Sequence, residues 1–278
     1  MTDRLAPGLH VVATPIGNLG DITARAAETL RKADRILAED TRLTGKLLAH
    51  IGAKTAMSRF DDHASEAERD AIVARLGDQA IALVSDAGTP LISDPGYRLV
   101  RAARAAGHEV VTVPGPCAAI AALSVSGLPT NRFLFLGFLP AKAKARADAI
   151  AEIADVNATL VIYESGPRLS DTLLALAARL GPRDGAVARE LTKLHEECVT
   201  GTLPELAERY ADAIPKGEIV VVVGPPIETE AISNANLDSL LEAAMADLSP
   251  SRAAAEVAER LGIPRKRAYA RALELSRK

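Results

Sequence analysis

The residues of this chain that could do chemistry stand at the ends of apolar runs. Asp86 follows Ile81-Ala82-Leu83-Val84, Glu164 follows Thr159-Leu160-Val161-Ile162-Tyr163, and Glu190 and Lys193 follow Ala186-Val187-Ala188. A carboxylate or ammonium beside a loop can move a proton or stabilise a developing charge. None has the company that covalent or metal chemistry demands. No Ser-His-Asp spacing, no Cys/His set at metal-ligand spacing and no paired carboxylates stand out, so no metal is expected. His63 has no partner spacing and reads as a solvated loop histidine.

The loops themselves carry more information. Residues 14–20, 85–96, 114–118 and 224–226 combine Gly or Pro with small polar residues, and 163–168 adds Glu164 and Arg168. Strand C-termini line one edge of a parallel sheet, so these loops are expected to converge. The stretch Ile81–Tyr97 is central: a buried strand that breaks into Ser85-Asp86-Ala87-Gly88-Thr89-Pro90 and Ser93-Asp94-Pro95-Gly96. Backbone approaches a ligand closely where side chains are absent, and Gly88 supplies that freedom. The opening strand, glycine loop and helix fit neither GxGxxG nor GxxxxGK[ST], so a dinucleotide or nucleoside triphosphate is poorly supported. A site rich in backbone groups and poor in nucleophiles suits a cofactor that carries the reactive group itself, and an adenosyl cofactor fits.

The elements that must position these loops alternate along the chain. Strands are expected at 9–13, 34–38, 81–84 and 110–113, with helices at about 23–33, 43–50, 65–76, 96–106 and 118–126. Asp21 or Thr23 would cap the first helix. Glu39-Asp40-Thr41-Arg42 reads equally as a helix cap or as a site. After a break at Gly127-Leu128-Pro129-Thr130 come strands at 133–138, 159–163, 186–188 and 218–223, with helices at about 145–154, 168–179 and 203–213. Residues 227–236 read as a polar linker. Helices at 237–247, 252–261 and 265–276, with a turn at Gly262-Ile263-Pro264, resemble a helix-turn-helix. The expectation is an α/β protein of two α/β domains, 1–128 and 129–227, with a cofactor cleft between them and a small helical domain at 237–278.

With 48% hydrophobic residues among 278, the composition excludes a disordered chain. The net charge of −3 hides an asymmetry. Residues 249–278 carry eight basic and three acidic side chains, so a basic tail joins an acidic body. That suits either a polyanionic partner or a solvated helix face. Lys142, Lys144 and Arg146, expected in a loop or first turn, are candidates for phosphate contact. Two distant cysteines, Cys117 and Cys198, make no disulfide framework. With no signal-like start and no long apolar run, a cytoplasmic protein without a membrane partner is expected.

Several motifs together resemble the tetrapyrrole-methylase-like class of S-adenosylmethionine (SAM) methyltransferases, and within it the bacterial methyltransferases of small-subunit ribosomal RNA. They are VATPIGNLGDIT (12–23), AEDTR (38–42), VSDAGTPLISDPG (84–96), VPGP (113–116), SGLP (126–129), FLGFLP (135–140), YESGPR (163–168), RELTK (189–193) and HEE (195–197). The resemblance implies a homodimer with SAM in the interdomain cleft. It implies methyl transfer to the 2′-oxygen of a cytidine in 16S rRNA, near the decoding centre. An acidic body with one basic tail is poorly equipped for indiscriminate RNA binding, so the assembled 30S subunit is the expected substrate. The resemblance implies SAM contacts from Ile16, Asp86, Gly88, Thr89, Pro90, Ile92, Cys117, Ala118, Tyr163, Glu164 and Leu191. Thr89 stands where the class usually has Asp, and Cys117 where Ser or Thr is common, so Cys117 is read as packing on the cofactor. A ribose hydroxyl is a poor nucleophile at neutral pH, and Glu164, Glu190, Lys193 and Asp86 are candidates to assist it. Lys142, Lys144, Arg146, Arg265, Lys266 and Arg267 would bind RNA. A macrocycle methyltransferase of the same fold and a non-catalytic RNA-binding regulator remain the alternatives.

Overall fold

The protein is described from a computed structural model, which covers residues 4–61, 64–212, 214–226, 234–261 and 265–276. His63, most of the 227–236 linker and the turn 262–264 lie outside the described residues. Internal contacts divide the chain into Met1–Pro226 and Ile227–Lys278.

The first half of Met1–Pro226 alternates strictly. Its elements are β1 (Gly8–Val12), α1 (Ala24–Lys32), β2 (Arg35–Ala38), α2 (Thr41–His50), β3 (Met57–Arg59), α3 (Glu66–Val73), β4 (Ala80–Val84), α4 (Tyr97–Ala105), β5 (Val110–Val113) and α5 (Ala118–Val125). The strands form a parallel sheet in the order β3-β2-β4-β1-β5. All five residues of β4 are buried, as expected of a parallel strand covered on both faces. Alternate residues serve opposite layers. Ile81 and Leu83 join the core with Leu99 and Ala103 of α4, while Ala82 and Val84 join the core with Leu30 of α1 and Leu47 of α2. From β1 the chain crosses β4 to reach β2, and from β4 it crosses back over β1 to reach β5. Adjacent strands whose chains depart in opposite directions leave a crevice between their C-terminal ends. That crevice lies between loops 14–20 and 85–96.

The helix starts are written locally. The Thr23 hydroxyl accepts from Ala26 N (3.0 Å) at the start of α1. Asp40 caps α2 through Arg42 N (2.8 Å) and also holds the Arg42 guanidinium, so that segment serves as a cap. Asp86 accepts from Asp40 N at 2.8 Å, tying the loop after β4 to this cap.

The second half holds β6 (Phe133–Phe138), α6 (Ala143–Glu152), β7 (Thr159–Ser165), α7 (Gly166–Leu180), β8 (Asp184–Arg189), β9 (Glu197–Thr202), α8 (Leu203–Arg209) and β10 (Glu218–Val223). Its sheet order is β6-β7-β10-β8-β9. Helices α6, α7 and α8 cover one face, where Ile150, Leu173 and Leu206 pack against Leu160, Ile162 and Val221. The other face is covered from the first half: Ala119, Ala122 and Leu123 of α5, with Ile16, pack on Val161, Ala186, Val220 and Val222.

Two expectations fail here. β10 runs antiparallel to both β7 and β8, with Glu218 opposite Ser165 and Val223 opposite Leu160. Residues 224–226 therefore lie at the far end of the sheet, and the start of β10 reaches the site instead. The edge strands β3 and β9 were not expected; both pair on one side only and neither has a fully buried residue, so neither needs a two-faced apolar run.

In Ile227–Lys278, α9 (Asn234–Met245), α10 (Pro250–Leu261) and α11 (Arg265–Leu275) enclose Leu237, Leu241, Ala254, Val257, Ala268 and Ala272. Arg271 clamps Asp238 through two 2.6 Å contacts. No helix of the described residues is long and apolar enough to cross a membrane.

Thr23→Ala is expected to lower stability by about 1 kcal/mol, the usual worth of an N-cap. Urea denaturation of the two proteins measures it.

Candidate functional site

The crevice opens onto two adjoining cavities. The smaller, about 200 Å³, is lined by Ile16, Gly88, Ile92, Asp94, Cys117, Ala118, Phe138, Tyr163 and Glu218, among others. The larger, about 510 Å³, is lined by Pro15, Gly17, Leu43, Lys46, Asp86 and Lys193 among others. Ile16, Ala87 and Glu218 belong to both, so the two are lobes of one cleft.

Hydrogen bonds tie the loops of the first half to one another and join them to the second half. Thr14 and Gly88 exchange backbone hydrogen bonds at 2.8 and 3.1 Å. Gly88 has φ +82°, and a Cβ there would stand 3.2 Å from Ile16. Both polar groups of Gly88 are thus engaged; what it offers the lobe is closeness rather than hydrogen bonds. The Thr89 hydroxyl donates to Pro116 O (3.0 Å), joining the loops after β4 and β5. From the second half, the Tyr163 hydroxyl accepts from Ala119 N (3.3 Å) at the start of α5. Its ring packs edgewise on Phe135 and Phe138, with centroids 4.9 and 5.7 Å away. Burial, helped by Cys117, pushes the Tyr163 phenol above its usual range, so it stays protonated. Pro90 and Leu191 are buried in the supporting walls.

The proposed catalytic residues are not equivalent. The Glu164 side chain has no exposed surface. Its carboxylate accepts from Thr172 Oγ1 (2.6 Å) and Ser165 N (2.8 Å) and faces Arg168 Nε (3.3 Å). It holds α7 to β7 and presents no carboxylate surface to a substrate, which corrects its catalytic assignment. Lys193 reaches Glu190 (2.9 Å) and Glu218 (3.0 Å). Burial acts to lower its ammonium pKa, but the hydrogen bonds to these carboxylates outweigh it and raise the value. Lys193 is therefore a fixed cation, not a base. The Lys193 hydrogen bond, with one from Glu218 N, holds Glu190 below the usual carboxylate range. A Cβ at Gly17 would collide with the Lys193 side chain, and one at Gly217 with the Glu190 carboxylate. Leu91, Ser93, Glu190 and Thr192 all have positive φ, between 50° and 74°. Such strain in non-glycine residues collects at binding sites.

Among the acidic residues that line the cleft, two were not candidates from the sequence. Glu218 was missed because β10 was taken as parallel. Asp94 sits in an SDPG turn and reads as a turn former. Burial first, then the carboxylates of Glu39 and Asp86, push the Asp94 carboxyl up to about 7. Nothing local in the sequence signals that desolvation.

The basic candidates separate. Lys142 and Lys144 are exposed at the start of α6. Arg146 is 6% exposed; it donates to Ala141 O (3.4 Å) and pairs with Asp171 (3.4 Å). It is an internal tie, correcting its assignment to phosphate contact. Arg265 and Lys266 are exposed on α11, and Arg265 donates to Ser251 Oγ (3.3 Å). The Arg267 side chain lies outside the described residues. Among those residues, no cluster of His, Cys, Asp or Glu could hold a metal ion.

Residues 8–207 match the family profile described as Tetrapyrrole (Corrin/Porphyrin) Methylases, and residues 231–276 match the RsmI C-terminal HTH domain. The ribosomal RNA small subunit methyltransferase I of Erythrobacter litoralis is 55% identical over 98% of this chain and 97% of its own length. That of Mesorhizobium japonicum is 49% identical over 98% and 93%. The chain belongs to the ribosomal RNA small subunit methyltransferase I family. Among solved structures, a diphthine synthase superposes with a TM-score of 0.61 at 15% identity, covering 78% of this chain and 89% of that one. At that identity the likeness is one of fold, and the fold is that of tetrapyrrole methylases with a helical C-terminal domain added. In this family member the cleft is thus the meeting line of the two sheets of the methylase fold.

Glu164→Gln is expected to cost about 1–3 kcal/mol, the penalty of a disrupted buried hydrogen-bond set. The single-turnover methylation rate per folded molecule should stay within a few-fold. A hundredfold rate loss at unchanged stability would restore Glu164 as a catalytic group.

Proposed function

We propose that this chain is a SAM-dependent methyltransferase acting on the ribose 2′-hydroxyl of a cytidine in 16S rRNA, within the 30S subunit. The observation that supports it is the pairing of lobes. One is narrow, largely aliphatic and aromatic; the other is wider and more open, with Lys193 beside the shared Glu218. Such a pair suits a cofactor and an acceptor meeting at a common wall.

The smaller lobe's residues fit SAM. Ile16, Ile92, Cys117 and Ala118 offer apolar surface to an adenosine, Gly88 permits close approach, and the Tyr163 and Phe138 rings suit a cation. The bound cofactor supplies an electrophilic methyl group. The chain aligns the acceptor and excludes water. Lys193, held protonated, stabilises negative charge developing on the ribose oxygen. Asp86 shapes the loop through Asp40 and borders the acceptor lobe. Glu190 positions Lys193.

In this reading, 1–128 and 129–227 form the two walls and 237–278 adds RNA affinity. Lys142, Lys144, Arg265, Lys266 and Arg267 contact phosphate. The family's names and the match of 231–276 to its C-terminal domain favour RNA over a macrocycle. The protein acts in the cytoplasm and as a homodimer.

Incubation with labelled SAM and small subunits lacking the modification is expected to label one cytidine 2′-oxygen, mapped by nuclease digestion. Label on a base, or none on RNA, would sink the proposal. Lys193→Ala should reduce single-turnover methylation by about 10²–10³-fold while SAM affinity changes little. Deleting 237–278 should weaken RNA binding and flatten its salt dependence, since each lost phosphate contact lowers the slope by about one. Gel-shift titration at several salt concentrations reads both effects.

A further inference from the structure

The smaller lobe has an unusual charge inventory. Its lining includes three acidic residues, Asp94, Glu164 and Glu218, the Glu164 carboxylate itself being buried, and no Lys, Arg or His. Two of the three are already compensated. Glu164 is engaged by Thr172, Ser165 and Arg168, and Glu218 is paired with Lys193. Among the described residues Asp94 is hydrogen-bonded and ion-paired to none, although it is half-buried. The other titratable groups facing it supply no cation. Glu39 and Asp86 are carboxylates from the loops after β2 and β4, and the Tyr163 phenol stays neutral.

The position of Asp94 is firmly set. Leu91 and Ser93 hold positive φ on one side of it, and Gly96 has φ +124° on the other. Ser93 Oγ packs where Gly137 of β6 has no side chain; a Cβ there would lie at 2.8 Å. A carboxylate held on a strained loop, desolvated beside other acids and left without a cation, is costly unless a positive ligand arrives. The rings of Tyr163 and Phe138 in the same lobe would also attract a cation.

We propose that Asp94 is the counter-ion for the cationic group of the cofactor, and that it makes the lobe prefer the charged cofactor over its uncharged spent form. This rests on the reading of the smaller lobe as the SAM site. S-adenosylmethionine and S-adenosylhomocysteine share their adenosine and amino-acid ends and differ by one methyl group and its positive charge. A site that reads this charge favours the reactant and releases the product. With Asp94 near half-ionised around pH 7 in the free protein, an arriving cation lowers its pKa and expels a proton. Affinity for the cation therefore rises with pH up to about 7 and is level above it.

Calorimetric titration of the full chain with each compound, in two buffers of different ionisation enthalpy, tests this without any turnover. At pH 7 the wild-type protein should release a fraction of a proton on binding S-adenosylmethionine beyond any released with S-adenosylhomocysteine. Its preference for S-adenosylmethionine should fall about tenfold between pH 8 and pH 6, the span of one unit below the free value. Asp94→Asn should abolish both the extra proton release and the pH dependence of the preference, and Asp94→Glu should keep the charge preference. Binding of both compounds by the wild type with equal proton release overturns the role of Asp94 and leaves the SAM site standing. Failure of the wild type to bind S-adenosylmethionine at all takes down the site reading and this inference together.

Discussion

The cleft depends on one apolar contact: α5 of the first half buried against the open face of the second sheet. The sequence of α5, AAIAALSV, is apolar almost all round. Ala119, Ala122 and Leu123 press on Val161, Ala186, Val220 and Val222. Small residues let the helix lie close to the strands, and closeness multiplies weak dispersion contacts. Because α5 begins directly after Cys117, this packing also fixes where the loop after β5 meets Tyr163. The hydrogen bond from Ala119 N to the Tyr163 hydroxyl is a cross-link that such a docked arrangement permits.

Given that docking, the two strained loops acquire their purpose. Leu91 and Ser93 stand on one wall, and Glu190 and Thr192 on the other, all in the left-handed region. Each such residue costs on the order of 1–3 kcal/mol, which surrounding packing must offset. In return the walls hold charge in fixed places. Lys193 is pinned by two carboxylates and packed over Gly17; Asp94 pairs with no cation among the described residues, and its charged neighbours are Glu39 and Asp86. The cleft thus has a positive post at its wide lobe and an uncompensated acid at its narrow one.

Much of the scaffold was legible along the chain. β4 and β10 are continuous apolar runs, and buried strands need to be. Thr23 and Asp40 announce their helices because capping is a contact over two or three residues. The glycine-bearing loops after β1, β4 and β5 were rightly expected to meet, since parallel neighbours bring their C-terminal ends to one edge. The edge strands β3 and β9 were invisible because an edge does not need two apolar faces, and neither strand has a fully buried residue. The direction of β10 was invisible too: EIVVVV reads the same in either orientation. That one ambiguity misplaced residues 224–226 and hid Glu218.

By itself, then, the sequence determined the elements, their caps, the loops that surround the cleft and, through its motifs, the family. Those properties are local or are carried by residue identity. Tertiary structure decided which charged side chains remain available. Arg146 and Glu164 look like site residues in the chain and are internal ties in the fold, whereas Asp94 looks like a turn and is a desolvated acid without a cation among the described residues. A side chain's charge is encoded at one position, but its burial and its partners come from segments far away in sequence. Chemistry at a site depends on those distant neighbours, because desolvation and pairing set what a carboxylate or an ammonium can do.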